Sequence, residues 1–195
     1  DVWPEAVIAI GAIKNKFLQK ILYYLEYVIY KHAEAIVPLS TDMANSITSR
    51  HDKFKEKTHV IENISELRRF NENDIASKDI ITAKLGFKPR FSILYAGSFA
   101  KVNGITYVIE LAGKLLKIDS SIIFILIGFG AEKQQVTELA KQKNLLNKNV
   151  FIFDPVGKNE LPGLYRNVNM GSSFVISIKE LWANSANKFF DTLAA

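Results

Sequence analysis

A serine, an asparagine, a lysine and an aspartate fall within the last sixteen residues, Glu180 to Ala195, in a pattern suited to holding an anion. Ala183, Asn184 and Ser185 read as polar loop, and the apolar-periodic run after them predicts the first turns of a helix. An Asn or Ser just before such a run is a cap signal. The free amides and positive dipole end of a helix start suit a phosphate. Lys188 sits in that first turn, where a cation is mildly unfavourable for the bare helix but natural beside a bound anion. Asp191 follows Asn187 and Lys188 by about one turn and can share their face.

Three further stretches carry chemistry-bearing residues. Gly97-Ser98-Phe99-Ala100-Lys101-Val102-Asn103-Gly104 follows an apolar run. Glycines on both sides of a loop let backbone amides approach an anion, and Lys101 adds charge. Gly128-Phe129-Gly130 follows another apolar run, with Glu132 close behind, but the third glycine of a dinucleotide fingerprint is missing. Phe153-Asp154-Pro155-Val156 precedes Lys158-Asn159-Glu160-Leu161-Pro162. Asp154 there reads equally as a ligand contact or as a turn residue beside Pro155.

The elements that must position these residues alternate. From Phe91 the pattern predicts strand Phe91–Ala96, helix Ile105–Ile118, strand Ser121–Ile127, helix Ala131–Lys143, strand Val150–Phe153, helix Asn159–Arg166 and strand Ser172–Ile178. Such alternation with near-continuous apolar strands predicts a parallel sheet covered on both faces, with ligands at the carboxyl ends of the strands. Upstream, a helical stripe runs from Ile13 to His32, with tyrosines at 23, 24, 27 and 30 and lysines near its ends. It reads either as a helix at a membrane interface or as a domain helix packed on a sheet. A buried strand is predicted at Ala35–Leu39, a helix capped by Ser40 or Thr41 to about Ser49, a strand at His59–Glu62 and a helix over 72–85. Gly86 and Pro89 read as linker.

Composition narrows the classes. The chain has 195 residues, 48% hydrophobic and 23% charged, which is globular. A net charge of +5 favours anionic partners. The charge is spread rather than clustered, so no nucleic acid is expected. No cysteine and only three histidines exclude disulfides and thiolate chemistry and speak against a metal site. No apolar run is long enough to span a bilayer. There is no G-x-S-x-G, no P-loop and no internal repeat.

Taken together, S-A-N-K-F-F-D-T-L-A-A, the Gly97–Gly104 loop and Asp1-Val2-Trp3-Pro4-Glu5 resemble retaining glycosyltransferase family four (glycosyl transferases group 1), in its bacterial polysaccharide and amino-sugar transferase subgroup. The resemblance implies an α/β fold of the GT-B type, two Rossmann-like doubly wound parallel-sheet domains. Residues 1–75 would be the C-terminal part of the acceptor-binding domain, 76–90 a linker and 91–195 a nucleotide-sugar donor domain. Both ends read as cut, so a fragment is expected, inactive alone. The family's V-I-P-N-G-V-D appears as Val60-Ile61-Glu62-Asn63-Ile64-Ser65-Glu66, without the Pro and Gly. Its G-R-x4-K-G loop carries Ser98 and Asn103 in place of Arg and Lys, which shifts phosphate binding toward Lys101 or Lys188.

By that resemblance Gly97, Ser98, Lys101, Asn103, Gly104, Ser185, Ala186, Asn187 and Lys188 bind the donor phosphates and Asp191 the ribose. Phe153, Asp154 and Val156 read the base, and Asp1 falls near the acceptor-side catalytic position. The implied reaction transfers a sugar, with retention, from a nucleoside diphosphate sugar, UDP-linked by expectation, to a glycan or lipid-linked acceptor in cell-surface polysaccharide biosynthesis. No cofactor and no metal are expected. The location implied is cytoplasmic, peripheral on the inner face of the plasma membrane. Two other classes stay open, a non-catalytic nucleotide-binding module and a peripheral membrane interaction protein.

Overall fold

The computed structural model describes residues 3–71 and 79–195, in two compact units. The first unit takes the chain up to Asn63 together with Val175–Ala186; the second takes Ile64–Phe174 together with Asn187–Ala195.

The second unit is built on four parallel strands, β1 (Phe91–Ala96), β2 (Ile122–Ile127), β3 (Val150–Phe153) and β4 (Met170–Gly171), in the order β3-β2-β1-β4. Successive strand residues point to opposite faces, and both faces are apolar. Ile93, Tyr95, Phe124 and Leu126 join one cluster with Ile105, Val108, Ile109 and Val136 from the helices Ile105–Ile118 and Lys133–Gln142. Leu94, Ile123, Ile125 and Ile127 join the other with Ile81, Leu164 and Tyr165, from Ile80–Leu85 and Leu161–Arg166. Leu94, Phe124, Ile125 and Leu126 are fully buried, each worth roughly 1.5–3 kcal/mol by transfer out of water. A doubly covered parallel sheet leaves only its strand ends open to a ligand.

Three elements start one or two residues later than expected. Ser121 is bound into the turn by Asp119, which accepts from its amide at 2.8 Å, so β2 starts at Ile122 rather than Ser121. The helices expected from Ala131 and Asn159 start at Lys133 and Leu161. The expected strand Ser172–Ile178 is not formed. The last backbone bond to β1 is Ser172 N to Leu94 O at 2.8 Å, and from there the segment has no partner strand among the described residues, although its side chains still alternate in burial. Of the helix expected over 72–85, residues 72–78 lie outside the described residues; Ile80–Leu85 is helical, its amide at Thr82 capped by Asp79 at 2.9 Å.

The first unit holds the helices Glu5–Ala9, Lys16–His32 and Thr41–Arg50 and 3-10 turns at Asp52–Lys57 and Lys179–Leu181. Asn15 accepts from the amides of Phe17 and Leu18, which starts the long helix at Lys16 rather than Ile13. Ser40 accepts from Met43 at 3.2 Å and caps the next one, as expected from sequence. Ile36, Met43, Ile47 and Phe54 form its core. The expected strands Ala35–Leu39 and His59–Glu62 reduce to one parallel bridge, Ile36 with Thr58. Pro38, in the middle of the first segment, has no amide to extend a ladder. Glu26 is buried, with Arg50 at 2.8 Å on one oxygen and His51 at 3.4 Å on the other. Burial, then the charge of Glu26, pushes the neighbouring Tyr30 phenol up to about 12.

Replacing Ile125 by Ala in the middle of β2 leaves a cavity between the two apolar layers. The expected loss is about 2–5 kcal/mol, against roughly 0.5–1.5 for Ile125→Val, read as lowered urea midpoints at unchanged slope.

Candidate functional site

At the carboxyl ends of β1 and β2 the backbones lie directly against each other. Gly97 donates to Ile127 O at 2.9 Å, Phe99 to Phe129 O at 2.7 Å, and Gly128 to Phe153 O at 3.2 Å. Gly128 has φ 154°, and a Cβ there would overlap the Gly97 carbonyl oxygen. The Gly128-Phe129-Gly130 step is therefore required for close approach of two loops, a requirement any side chain at 128 would break.

The loop from Gly97 to Gly104 is braced from inside. The Ser98 carbonyl accepts from the Tyr95 phenol at 2.7 Å and from Asn103 Nδ2 at 2.8 Å; the same nitrogen lies 2.9 Å from Ser98 Oγ. Asn103 is buried, so it serves the loop rather than solvent. Lys101 is exposed and opens a 3-10 turn through Asn103, and Gly104 precedes the helix Ile105–Ile118. Burial pushes the Tyr95 phenol well above its ordinary value, which keeps it a donor to Ser98.

Lys188 joins this loop from the closing helix, Asn187–Ala194. Its Cε lies 2.8 Å from where a Gly97 Cβ would be, and its Nζ is 5.3 Å from the centre of the Tyr95 ring. Burial lowers its pKa, with no opposite charge contributing. Among the described residues no carboxylate lies within ion-pair distance of it. A partly desolvated ammonium without an ion-pair partner is chemically suited to an anion.

The other expected site residues are placed as follows. Gly97, Ser98, Asn103 and Lys188 are brought together around Tyr95. Asp191 lies one turn beyond Lys188 on the same helix; its Oδ1 accepts from Ser65 Oγ at 2.7 Å and its charge helps raise the buried Tyr165 phenol, after burial itself. Ser185 and Ala186 belong to the first unit, where Asn63 Nδ2 donates to Ser185 O at 2.9 Å; Asn187, Lys188 and Asp191 belong to the second. At the end of β3, Asp154 is exposed and accepts from Lys133 at 2.6 Å, a bond that holds its carboxyl below the usual range; Lys133 also donates to Phe153 O. Val156 packs on the buried layer of Ile125 and Leu164. Asp1 lies outside the described residues. Among the described residues no group of three or more histidines, aspartates or glutamates is arranged to hold a metal ion.

Tyr95, Ser65, Lys133 and Tyr165 escape a reading of sequence alone. Tyr95 reads as a strand residue, and Ser65 is separated from its partner by 126 positions.

The sheet topology and the loops at its carboxyl edge define an α/β fold of the GT-B type, of which this chain is a part. The chain belongs to the glycosyl transferases group 1 family, whose profile matches residues 77–179, more than half of its length. Among solved structures it is similar to WaaG, a glycosyltransferase involved in lipopolysaccharide biosynthesis (TM-score 0.66, 14% identity, covering 99% of this chain and 52% of that one). Anabaena HepE, solved with UDP and glucose, aligns with TM-score 0.62 and 15% identity over 75% of this chain and 39% of its own. Staphylococcus aureus TarM aligns with TM-score 0.58 and 19% identity over 76% and 26%. The chain thus spans between about a quarter and a half of these structures. No curated protein matches the sequence.

The Lys188 environment has a pH signature. Its folded pKa lies below the ordinary 10.5, so between those two values the unfolded chain binds more protons and stability rises with pH. Lys188→Met removes both the burial cost and this rise. Its melting temperature is expected above wild type at neutral pH, with the difference closing as pH climbs through the folded pKa toward 10.5. Thermal melts of the two proteins across that window check it.

Proposed function

We propose that this chain forms the donor half, and part of the acceptor-binding domain, of a retaining family-four glycosyltransferase that moves a sugar from a nucleoside diphosphate sugar, UDP-linked, to a glycan or lipid-linked acceptor. The observation that supports it best is Lys188, unpaired and desolvated against Gly97 at the carboxyl edge of the sheet. The leaving diphosphate gains negative charge as the bond from its oxygen to the sugar C1 breaks. Lys188 and the Ser98 and Ala100 amides, which among the described residues are not spent on backbone carbonyls as those of Gly97 and Phe99 are, meet that charge without having to reorganise. The acceptor oxygen bonds to C1 on the face the diphosphate leaves, and its proton passes to a diphosphate oxygen, so retention requires neither metal nor dedicated base. Ser98, Lys101 and Asn103 line the phosphate loop and Asp191 takes the ribose. Phe153, Asp154 and Val156 meet the base, and Asp1 acts on the acceptor side. A role in cell-surface polysaccharide biosynthesis, in the cytoplasm, fits that substrate class.

A membrane-facing reading is favoured by one feature of the helix Lys16–His32. Phe17, Leu18, Ile21, Leu25 and Ile29 are exposed on it, flanked by exposed Lys14, Lys16 and Lys20. Apolar side chains beside lysines suit the headgroup region of an anionic leaflet. No described helix is long and apolar enough to cross a membrane.

Calorimetry with UDP tests the donor reading. Lys188→Ala is expected to weaken binding about tenfold or more and Asp191→Ala by a similar factor; unchanged affinity removes the residue from the site. Co-sedimentation with vesicles containing anionic lipid tests the membrane reading. Wild type is expected to pellet, and Phe17→Glu with Ile21→Glu to stay in the supernatant; equal pelleting refutes it.

A further inference from the structure

The closing helix Asn187–Ala194 has no fully buried residue, so apolar packing alone does not fix its rotation. Two contacts do. On one side the Thr192 side chain fills the space that a Cβ at Gly171 of β4 would need, its hydroxyl donating back to Lys188 O at 2.7 Å. On the other, Ser65 Oγ donates to Asp191 Oδ1 at 2.7 Å. Ser65 is itself buried, at 8% exposure, in the segment that opens the second unit. Among the described residues no lysine or arginine ion-pairs with Asp191. A carboxylate offers about four lone-pair sites, and the serine takes one of them. The remainder, Oδ2 above all, is left to accept from a pair of hydroxyls, with the plane of the carboxylate already set. A hydrogen bond to a charged group is among the stronger ones available, and a site held by such support loses less freedom on binding.

We infer that Ser65 is the positioning residue of Asp191 and sets how strongly the site discriminates for the two hydroxyls of a nucleotide ribose. This rests on the reading of Asp191 as the ribose contact. Ser65 touches no substrate; it acts by holding one carboxylate oxygen so that the other faces the diol. At this position the resembling motif carries an apolar residue, so the contact belongs to this chain's own sequence.

The test compares the affinity of the purified protein for UDP with that for 2′,3′-dideoxy-UDP, and takes the ratio. Wild type is expected to prefer UDP. Ser65→Ala is expected to cut that preference by roughly 3- to 10-fold while affinity for the dideoxy nucleotide holds, since only the diol contact depends on the aligned carboxylate. Ser65→Thr, which keeps the hydroxyl, is expected to restore most of it. Ser65→Cys, close in size but a weak donor, should fall between wild type and Ser65→Ala, and it serves if the alanine variant does not fold. A serine with only a structural role would lower the melting temperature and both affinities together, leaving the ratio as in wild type; that result overturns the inference. Asp191→Ala separates the two ideas. If it removes the preference while Ser65→Ala and Ser65→Cys do not, the serine's role fails alone. If it leaves the preference intact, the ribose reading of Asp191 fails and the serine's role with it.

Discussion

The donor edge of this protein depends on one place where backbone touches backbone, Gly97 against Gly128. The Gly97 amide reaches the last carbonyl of β2, and the Gly97 carbonyl fills the space a side chain at 128 would need. That contact fixes the height at which the Gly97–Gly104 loop leaves the sheet. The Ser98 carbonyl can then turn inward, where Tyr95 and Asn103 converge on it. A bulkier residue at 97 would also collide with Lys188. The same glycine therefore admits the loop below and the lysine above.

If the loop meets a phosphate, as proposed, it does so without the Arg and Lys that its resembling motif carries. Asn103 has given up any outward role: it is buried and spends its amide on Ser98. A short polar side chain braces the loop where a long cation would have left it. Charge is then supplied by the next element to arrive, the closing helix, whose Lys188 enters over Tyr95. Positive charge at this edge thus comes from Lys101 in the loop and Lys188 on the helix.

Much of this frame was legible in sequence. The strands Phe91–Ala96 and Val150–Phe153 and the helix Ile105–Ile118 have the predicted bounds, because each is a clean apolar period closed by glycine or a polar turn. Ser172–Ile178 has an equally good alternation, yet alternation reports burial, and a strand also needs a neighbour to bond. Beyond Ser172 there is none among the described residues. The strands around Pro38 failed for the complementary reason, a missing donor. In the site, glycines and Lys188 stand out by type and spacing. Tyr95 and Ser65 do not, since an inward strand tyrosine looks like core and a serine partnered 126 residues away has no local pattern.

The cost of Lys188 decides how the site should be understood. Its ammonium sits over the Tyr95 ring, an attraction worth about 0.5–2 kcal/mol in favourable cases. Burial lowers its pKa, because taking the ammonium partly out of water disfavours the charged form. A helix needing only stability would have an apolar residue there, since Lys188 forms no ion pair with the described residues and the two layers beneath already supply the packing. On the proposed donor reading, a diphosphate beside the ammonium would offset that penalty, since the low local dielectric that opposes a lone charge strengthens a pair.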